Sequence, residues 1–281
     1  MLQRQENGAG HAALPSEQGI VIDRLSVGYG RQVVVDGVSL TIPQGKMTVL
    51  AGANGCGKST LLSTIARMLL PLGGSVRLDG KAIHQQPTRE IARRLGMLPQ
   101  TPLLPDGLTV FELVSRGRYP WQGFMRQWSD ADQQAVAEAL RLTDTDALAH
   151  LPVESLSGGQ RQRCWIAMAL AQQTDTILLD EPTTYLDLRY QVEILELLQT
   201  LTREHGRTVV VVLHDMNFAV NYADRLVFLK AGRLHAVVAE GETCSAELIE
   251  AVFDVQVQTA VNPLTQKPFF IPFPQRQGSA G

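Results

Sequence analysis

Apolar residues fall into short β-rich runs at both ends of this chain and follow a helical period between them. The segments 20–27, Gln32–Ile42 and 46–50 are dense in Val, Ile and Leu, and Pro43-Gln44-Gly45 breaks the last two; they predict strands. Met47–Ala51 is almost wholly apolar and feeds directly into Gly52. Segment 58–70 has helical periodicity and runs up to Pro71 and Gly73-Gly74, which predicts a helix of that span. Segment 75–78, before Asp79-Gly80, predicts another strand. From 88 to 171 the pattern is mostly helical, with 110–118 and Asp130–Leu142 amphipathic. Strands at Thr176–Asp180, 208–213 and 225–229 then alternate with helices at 186–204 and Met216–Tyr222.

This order predicts an α/β fold: a mainly parallel sheet, an N-terminal antiparallel β portion, and a helical insert at about 88–171. One domain is expected over 19–275, with 1–18 a polar, disordered leader and 276–281 a tail. No internal repeat is apparent.

Composition narrows the partners. The chain carries 25 Lys and Arg against 28 Asp and Glu, a net −3. It lacks the basic surplus of nucleic-acid binders, so no nucleic acid is expected. No apolar run approaches the ~18 residues that cross a bilayer, and 1–19 has no signal-peptide core. Any membrane-spanning part is therefore expected on another chain. Cys56, Cys164 and Cys244 are odd in number, widely spaced and form no CxxC pair, which fits a reducing compartment.

Gly52-Ala53-Asn54-Gly55-Cys56-Gly57-Lys58-Ser59 fits GxxxxGK[ST] in full, and Thr60 follows. Glycines let such a loop curl its N–H groups toward a phosphate, at the positive end of the next helix. Lys58 would reach the β and γ phosphates of a nucleotide, and Ser59 would ligate Mg²⁺. Asp180 ends an apolar run and so emerges at the carboxyl edge of the sheet, where it suits Mg²⁺. Glu181 is then placed to act as general base on a water in line with the γ-phosphate. Without the loop, Asp180-Glu181 would read as a solvated turn. Leu156-Ser157-Gly158-Gly159-Gln160 opens a helix, for which Ser157 alone would be an ordinary N-cap.

Taken in order, the loop, the run 156–160 and Leu178-Leu179-Asp180-Glu181-Pro182 resemble the ATP-binding cassette (ABC) family. The resemblance covers nearly all of the chain. It implies ATP held by Gly52, Asn54, Gly55, Cys56, Gly57, Lys58, Ser59 and Thr60, with Tyr29 stacked on adenine. It implies Mg²⁺ at Ser59, Gln100 and Asp180, and hydrolysis by Glu181 with His214, Lys58 and Gln100. Ser157, Gly158, Gly159, Gln160 and Asp187 would serve the ATP of a second copy, in a head-to-tail dimer closed over two nucleotides.

Gly117-Arg118-Tyr119-Pro120, His214-Asp215-Met216-Asn217 and the stretch 262–272 look, more narrowly, like the ATPases of bacterial ferric-siderophore importers. Asn262 departs from the aspartate expected there, at a position that touches no chemistry. The narrower resemblance implies membrane permease subunits, an indirectly coupled periplasmic or surface binding protein, and a peripheral place on the cytoplasmic face of the bacterial cell membrane. The permease would dock on 101–128, where Trp121, Phe124, Met125 and Trp128 either line a groove or pack the insert's own core. A haem or cobalamin importer, an exporter ATPase and a soluble non-transport ABC ATPase remain alternatives.

Overall fold

A computed structural model describes residues 19–102, 106–123, 127–184 and 186–273; the leader, Phe124, Met125 and the tail named above lie outside them. Strands β1 (Ile20–Tyr29), β2 (Gln32–Ile42), β3 (Met47–Ala51), β4 (Gly73–Leu78) and β5 (Lys81–Ala82) open the chain, with helix α1 (Lys58–Ile65) after β3. Helix α2 (Thr88–Ala92) and strand β6 (Leu95–Leu98) precede helices α3 (Val110–Ser115), α4 (Asp130–Leu142) and α5 (Gly158–Ala171). Then come β7 (Thr176–Asp180), α6 (Leu188–Arg203), β8 (Thr208–Val212), α7 (Met216–Tyr222), β9 (Arg225–Lys230) and β10 (Arg233–Val238). Helix α8 (Ala246–Phe253) and the antiparallel pair β11 (Gln256–Val261) and β12 (Pro268–Phe273) complete it.

The central sheet runs β10-β9-β3-β8-β7-β6, parallel except for β10. Its side chains alternate between two cores. Val49, Ile177, Leu179, Val209 and Val211 pack with the insert and α6, while Leu50, Leu178, Val210 and Val212 pack with α1 and the antiparallel sheet β2-β1-β4-β5. Covered on both faces, these strands need continuous apolar sequence, which is what they have.

Three expectations change. The helix expected over 58–70 stops at Ile65; Arg67 takes a positive φ of 63°, and the N–H of Met68 turns back to the Ser63 carbonyl. The stretch 88–171 contains β6, which pairs with β7 as the edge of the central sheet, so the helical layer proper begins at α3. Segment 110–118 is not one helix, because Arg116–Arg118 tightens into a 3₁₀ turn. The three cysteines are buried and unpaired, and burial pushes the Cys164 and Cys244 thiols up to about 11.

Candidate active site

Four strands deliver the site to one edge. Asp180 lies opposite Val212, and Leu98 opposite Leu179, so the residues just beyond these strand ends arrive together. These are Gln100 after β6, Glu181 after β7, His214 after β8 and the phosphate loop after β3. A carboxyl edge of this kind is where open parallel sheets hold ligands.

The loop is shaped by lack of space. A Cβ on Gly52, whose φ is 146°, would stand 2.2 Å from the Leu229 carbonyl oxygen. Gly52→Ala is expected to lose about 1–3 kcal/mol through overpacking and strain, and urea unfolding checks it. Lys58 is buried, and its ammonium donates to the carbonyls of Gly52 (2.8 Å) and Ala53 (3.0 Å), which pins the loop in a curl.

Below the loop, the Ser59 hydroxyl donates to Asp180 Oδ1 at 2.9 Å. Burial pushes the Asp180 carboxyl above the usual carboxylate range, against the Ser59 hydrogen bond that pulls it down. Glu181 sits in the left-handed region, φ 52°, a strain of order 1–3 kcal/mol of the sort that gathers at reacting centres. Its carboxylate is bracketed. Gln100 Nε2 donates to Oε2 at 2.6 Å, His214 Nε2 lies 2.6 Å from Oε1, and the Thr184 hydroxyl donates to Oε2 at 3.2 Å.

The resulting cleft, about 640 Å³, is lined by Asn54, Gly55, Gly57, Lys58, Ser59, Thr60, Gln100, Glu181 and His214, joined by Val34 and Thr184. Sequence reasoning missed the last two: Val34 reads only as a strand residue, and Thr184 as part of a turn. Cys56 is buried in the loop wall. Tyr29 is exposed at the β1–β2 turn and is not among the residues lining the cleft. The run 157–160 and Asp187 do not line it either. Ser157 starts α5 with a reciprocal cap: its hydroxyl accepts from the Gln160 N–H, and Gln160 Oε1 accepts from the Ser157 N–H.

The ABC transporter family matches residues 35–184, more than half of the chain and all of the loop-to-Glu181 stretch. The chain belongs to the ABC transporter family. As an ABC ATPase it binds and hydrolyses ATP. It is 51% identical over 253 residues to the "Probable siderophore transport system ATP-binding protein YusV" of Bacillus subtilis (strain 168), spanning 90% of this chain and 92% of that protein. Identity is 50% to the achromobactin transport ATP-binding protein CbrD of Dickeya dadantii (strain 3937), over 89% of this chain and 93% of that one. It is 45% to the ferric enterobactin transport ATP-binding protein FepC of Escherichia coli (strain K12), over 89% and 92%.

Among solved structures, a metal-chelate type ABC transporter in an inward-facing conformation matches with TM-score 0.78 and 28% identity, over 92% of this chain and 98% of that chain. The dimeric cassette MJ0796, in a post-hydrolysis state bound to ADP and Pi, matches with TM-score 0.69 and 30% identity, over 78% and 98%. The ABC cassette fold expected from the sequence, with its antiparallel sheet, parallel core and insert, is the fold observed.

Proposed function

We propose that this ABC ATPase powers import of a ferric siderophore through a separate membrane permease. The observation that carries the hydrolytic part is the Glu181 carboxylate, fixed at the mouth of the phosphate-loop cleft between Gln100 and His214. A general base must be oriented before it is useful, and these two partners orient it. The cargo class rests on the relatives, whose names place them in siderophore, achromobactin and ferric enterobactin transport.

In this reading the loop N–H groups and Lys58 take the phosphates of ATP. Glu181 accepts a proton from the attacking water, and His214 holds Glu181 in place. Ser59 and Asp180, already 2.9 Å apart, and the Gln100 amide oxygen are the hard oxygen donors that suit Mg²⁺. When bound, Mg²⁺ neutralises charge that develops on the transferred phosphoryl group.

Ser157, Gly158 and Asp187 are solvent-exposed and outside their own chain's cleft, with open space above Gly158. Such placement suits donors to the nucleotide of a second copy, held head-to-tail. Tyr29, exposed at its turn, would meet an adenine from outside the cleft. Among the described residues no helix is long and apolar enough to cross a membrane, so the chain would sit peripherally, against the permease at the cytoplasmic face.

The docking face we favour is a cleft of about 590 Å³ that includes Thr88, Arg89, Ala92, Tyr119 and Pro120. Trp121 is largely committed elsewhere: its indole N–H donates to the Gln172 carbonyl, and its ring carries the guanidinium groups of Arg93 and Arg118. Trp128 leans on Phe111 and donates to Gln133. Both tryptophans make contacts within the insert while keeping 38% and 41% of their surface exposed. The Gly117-to-Pro120 run has a structural basis too: a Cβ on Gly117 would meet the Met168 carbonyl of α5 at 2.2 Å.

The test is uptake of radiolabelled iron, offered as a panel of ferric siderophores plus haem, with labelled cobalamin alongside, in cells carrying Lys58→Ala. Selective loss of one ferric siderophore is the expected result. Loss of haem or cobalamin uptake instead would reassign the cargo.

A further inference from the structure

Gly158 and Gly159 are neighbours with opposite surroundings. Above Gly158 there is open space, whereas a Cβ on Gly159 would lie 2.8–3.0 Å from three ring carbons of Tyr190. Two of those distances are shorter than real Cβ contacts and the third is tight, so any larger residue at 159 would have to push the ring away. Tyr190 stands in the first turn of α6, just after Asp187, which begins the helix without a side-chain cap. Arg163, one turn along α5 from Gly159, places its guanidinium 5.6 Å from the centre of the same ring. Arg163 Nη1 also pairs with Asp144 at 3.2 Å and with Glu193 of α6 at 4.0 Å. Glu193 is held in turn by Arg189 at 2.8 Å. The flat ring thus lies against the backbone of one helix start and is anchored in the other. Of the two ion pairs, the one to Glu193 spans α5 and α6, while the one to Asp144 ties α5 to the end of α4.

We infer that Tyr190 is a positioning residue that locks the start of α5 to the start of α6, so that Ser157, Gln160 and Asp187 approach a second copy's ATP as one rigid unit. This rests on the head-to-tail reading above. A rigid unit orders both sets of groups with one motion, and misplacement by about 1 Å is enough to cost roughly 10²-fold in a preorganised site. On this view Gly158 is small to admit something from outside the chain, while Gly159 is small to admit Tyr190.

The test places Tyr190→Leu, which keeps bulk and removes the flat ring, and Tyr190→Phe, which keeps the ring, in chains with and without Glu181→Gln. ATP-driven dimerisation of the Glu181→Gln chains is followed by light scattering, and hydrolysis of the others by phosphate release. Binding of a fluorescent ATP analogue to the monomer is the control, since Tyr190 does not line the cleft. Tyr190→Leu is expected to leave that binding unchanged, to weaken ATP-driven dimerisation, and to lower kcat roughly 10- to 100-fold with a Hill coefficient falling toward one. Tyr190→Phe should retain all three. If Tyr190→Leu dimerises and turns over like its parent, the inference is overturned while the head-to-tail reading stands. If Glu181→Gln alone stays monomeric with ATP, that reading fails and takes the inference with it.

Discussion

Glu181→Gln is expected to bind ATP, remain dimeric with it, and lose hydrolysis by about 10²–10⁴, the worth of a general base. The substitution is nearly silent for structure because the side chain keeps its length and its neighbours can adapt. The amide oxygen still accepts from Gln100, which now donates at 2.6 Å, and the new NH₂ can donate to an unprotonated His214 Nε2. The left-handed backbone at this position is equally accessible to Gln and Glu. What disappears is the carboxylate proposed to take the proton from water. Single-turnover phosphate release measures this directly. A rate within about tenfold of wild type is too small a loss for a general base, and would remove Glu181 from that role.

The second large effect lies in the insert. Arg118 and Asp132 form an ion pair at 2.8 Å, with side chains only 4% and 6% exposed. Arg118 also donates to the Ala171 carbonyl and to Gln173, tying the 3₁₀ turn to the end of α5. Arg118→Met is expected to cost about 3–5 kcal/mol, because it leaves a buried carboxylate without its cation.

Its pH dependence follows from Asp132. Burial pushes that carboxyl up, but hydrogen bonds from Arg118 and Ser129 outweigh it and hold the group below the ordinary range. The native pair therefore contributes stability that is fully present above the unfolded carboxylate's pKa and is lost as pH falls through the lowered folded value. In Arg118→Met the Arg118 hydrogen bond and charge are gone, and only the Ser129 hydrogen bonds oppose burial. Asp132 is therefore expected to take up its proton at higher pH, which relieves the part of the cost due to the stranded charge. Urea unfolding should show a larger deficit at neutral pH than in mild acid. A deficit independent of pH would mean that lost packing, not the stranded charge, is the cause.

How far the sequence carried depends on what kind of signal each element leaves. The central strands were legible because burial on both faces demands a continuous apolar run, as in Thr208–Val212. Helix ends were less so. Met68 and Leu70 continue the helical period beyond Ile65, yet they are 62% and 74% exposed, and periodicity cannot distinguish an apolar residue in the core from one facing water. Strand β6 was hidden because four residues with a glycine inside them, Leu95–Leu98, barely register against a helical background.

The site divides in the same way. Lys58, Ser59, Asp180 and Glu181 were legible as local strings. The meeting of Gln100 and His214 on Glu181 depends on the register of three strands, which no local pattern displays; the family resemblance brings both residues to the hydrolytic site but not their contacts with Glu181. Val34 and Thr184 left no trace at all. Tyr190 was passed over because nothing in its surroundings along the chain reveals that Gly159 lies under its ring.

The reciprocal cap at the head of α5 has one more consequence. A hydroxyl has two lone pairs but a single proton. At Ser157 a lone pair is committed to the Gln160 N–H, and among the described residues the proton is given to no acceptor. On the head-to-tail proposal, holding the helix and reaching outward would thus use opposite ends of one hydroxyl group. Ser157 could then offer its proton to an arriving anion and withdraw it again without the helix beneath it coming undone.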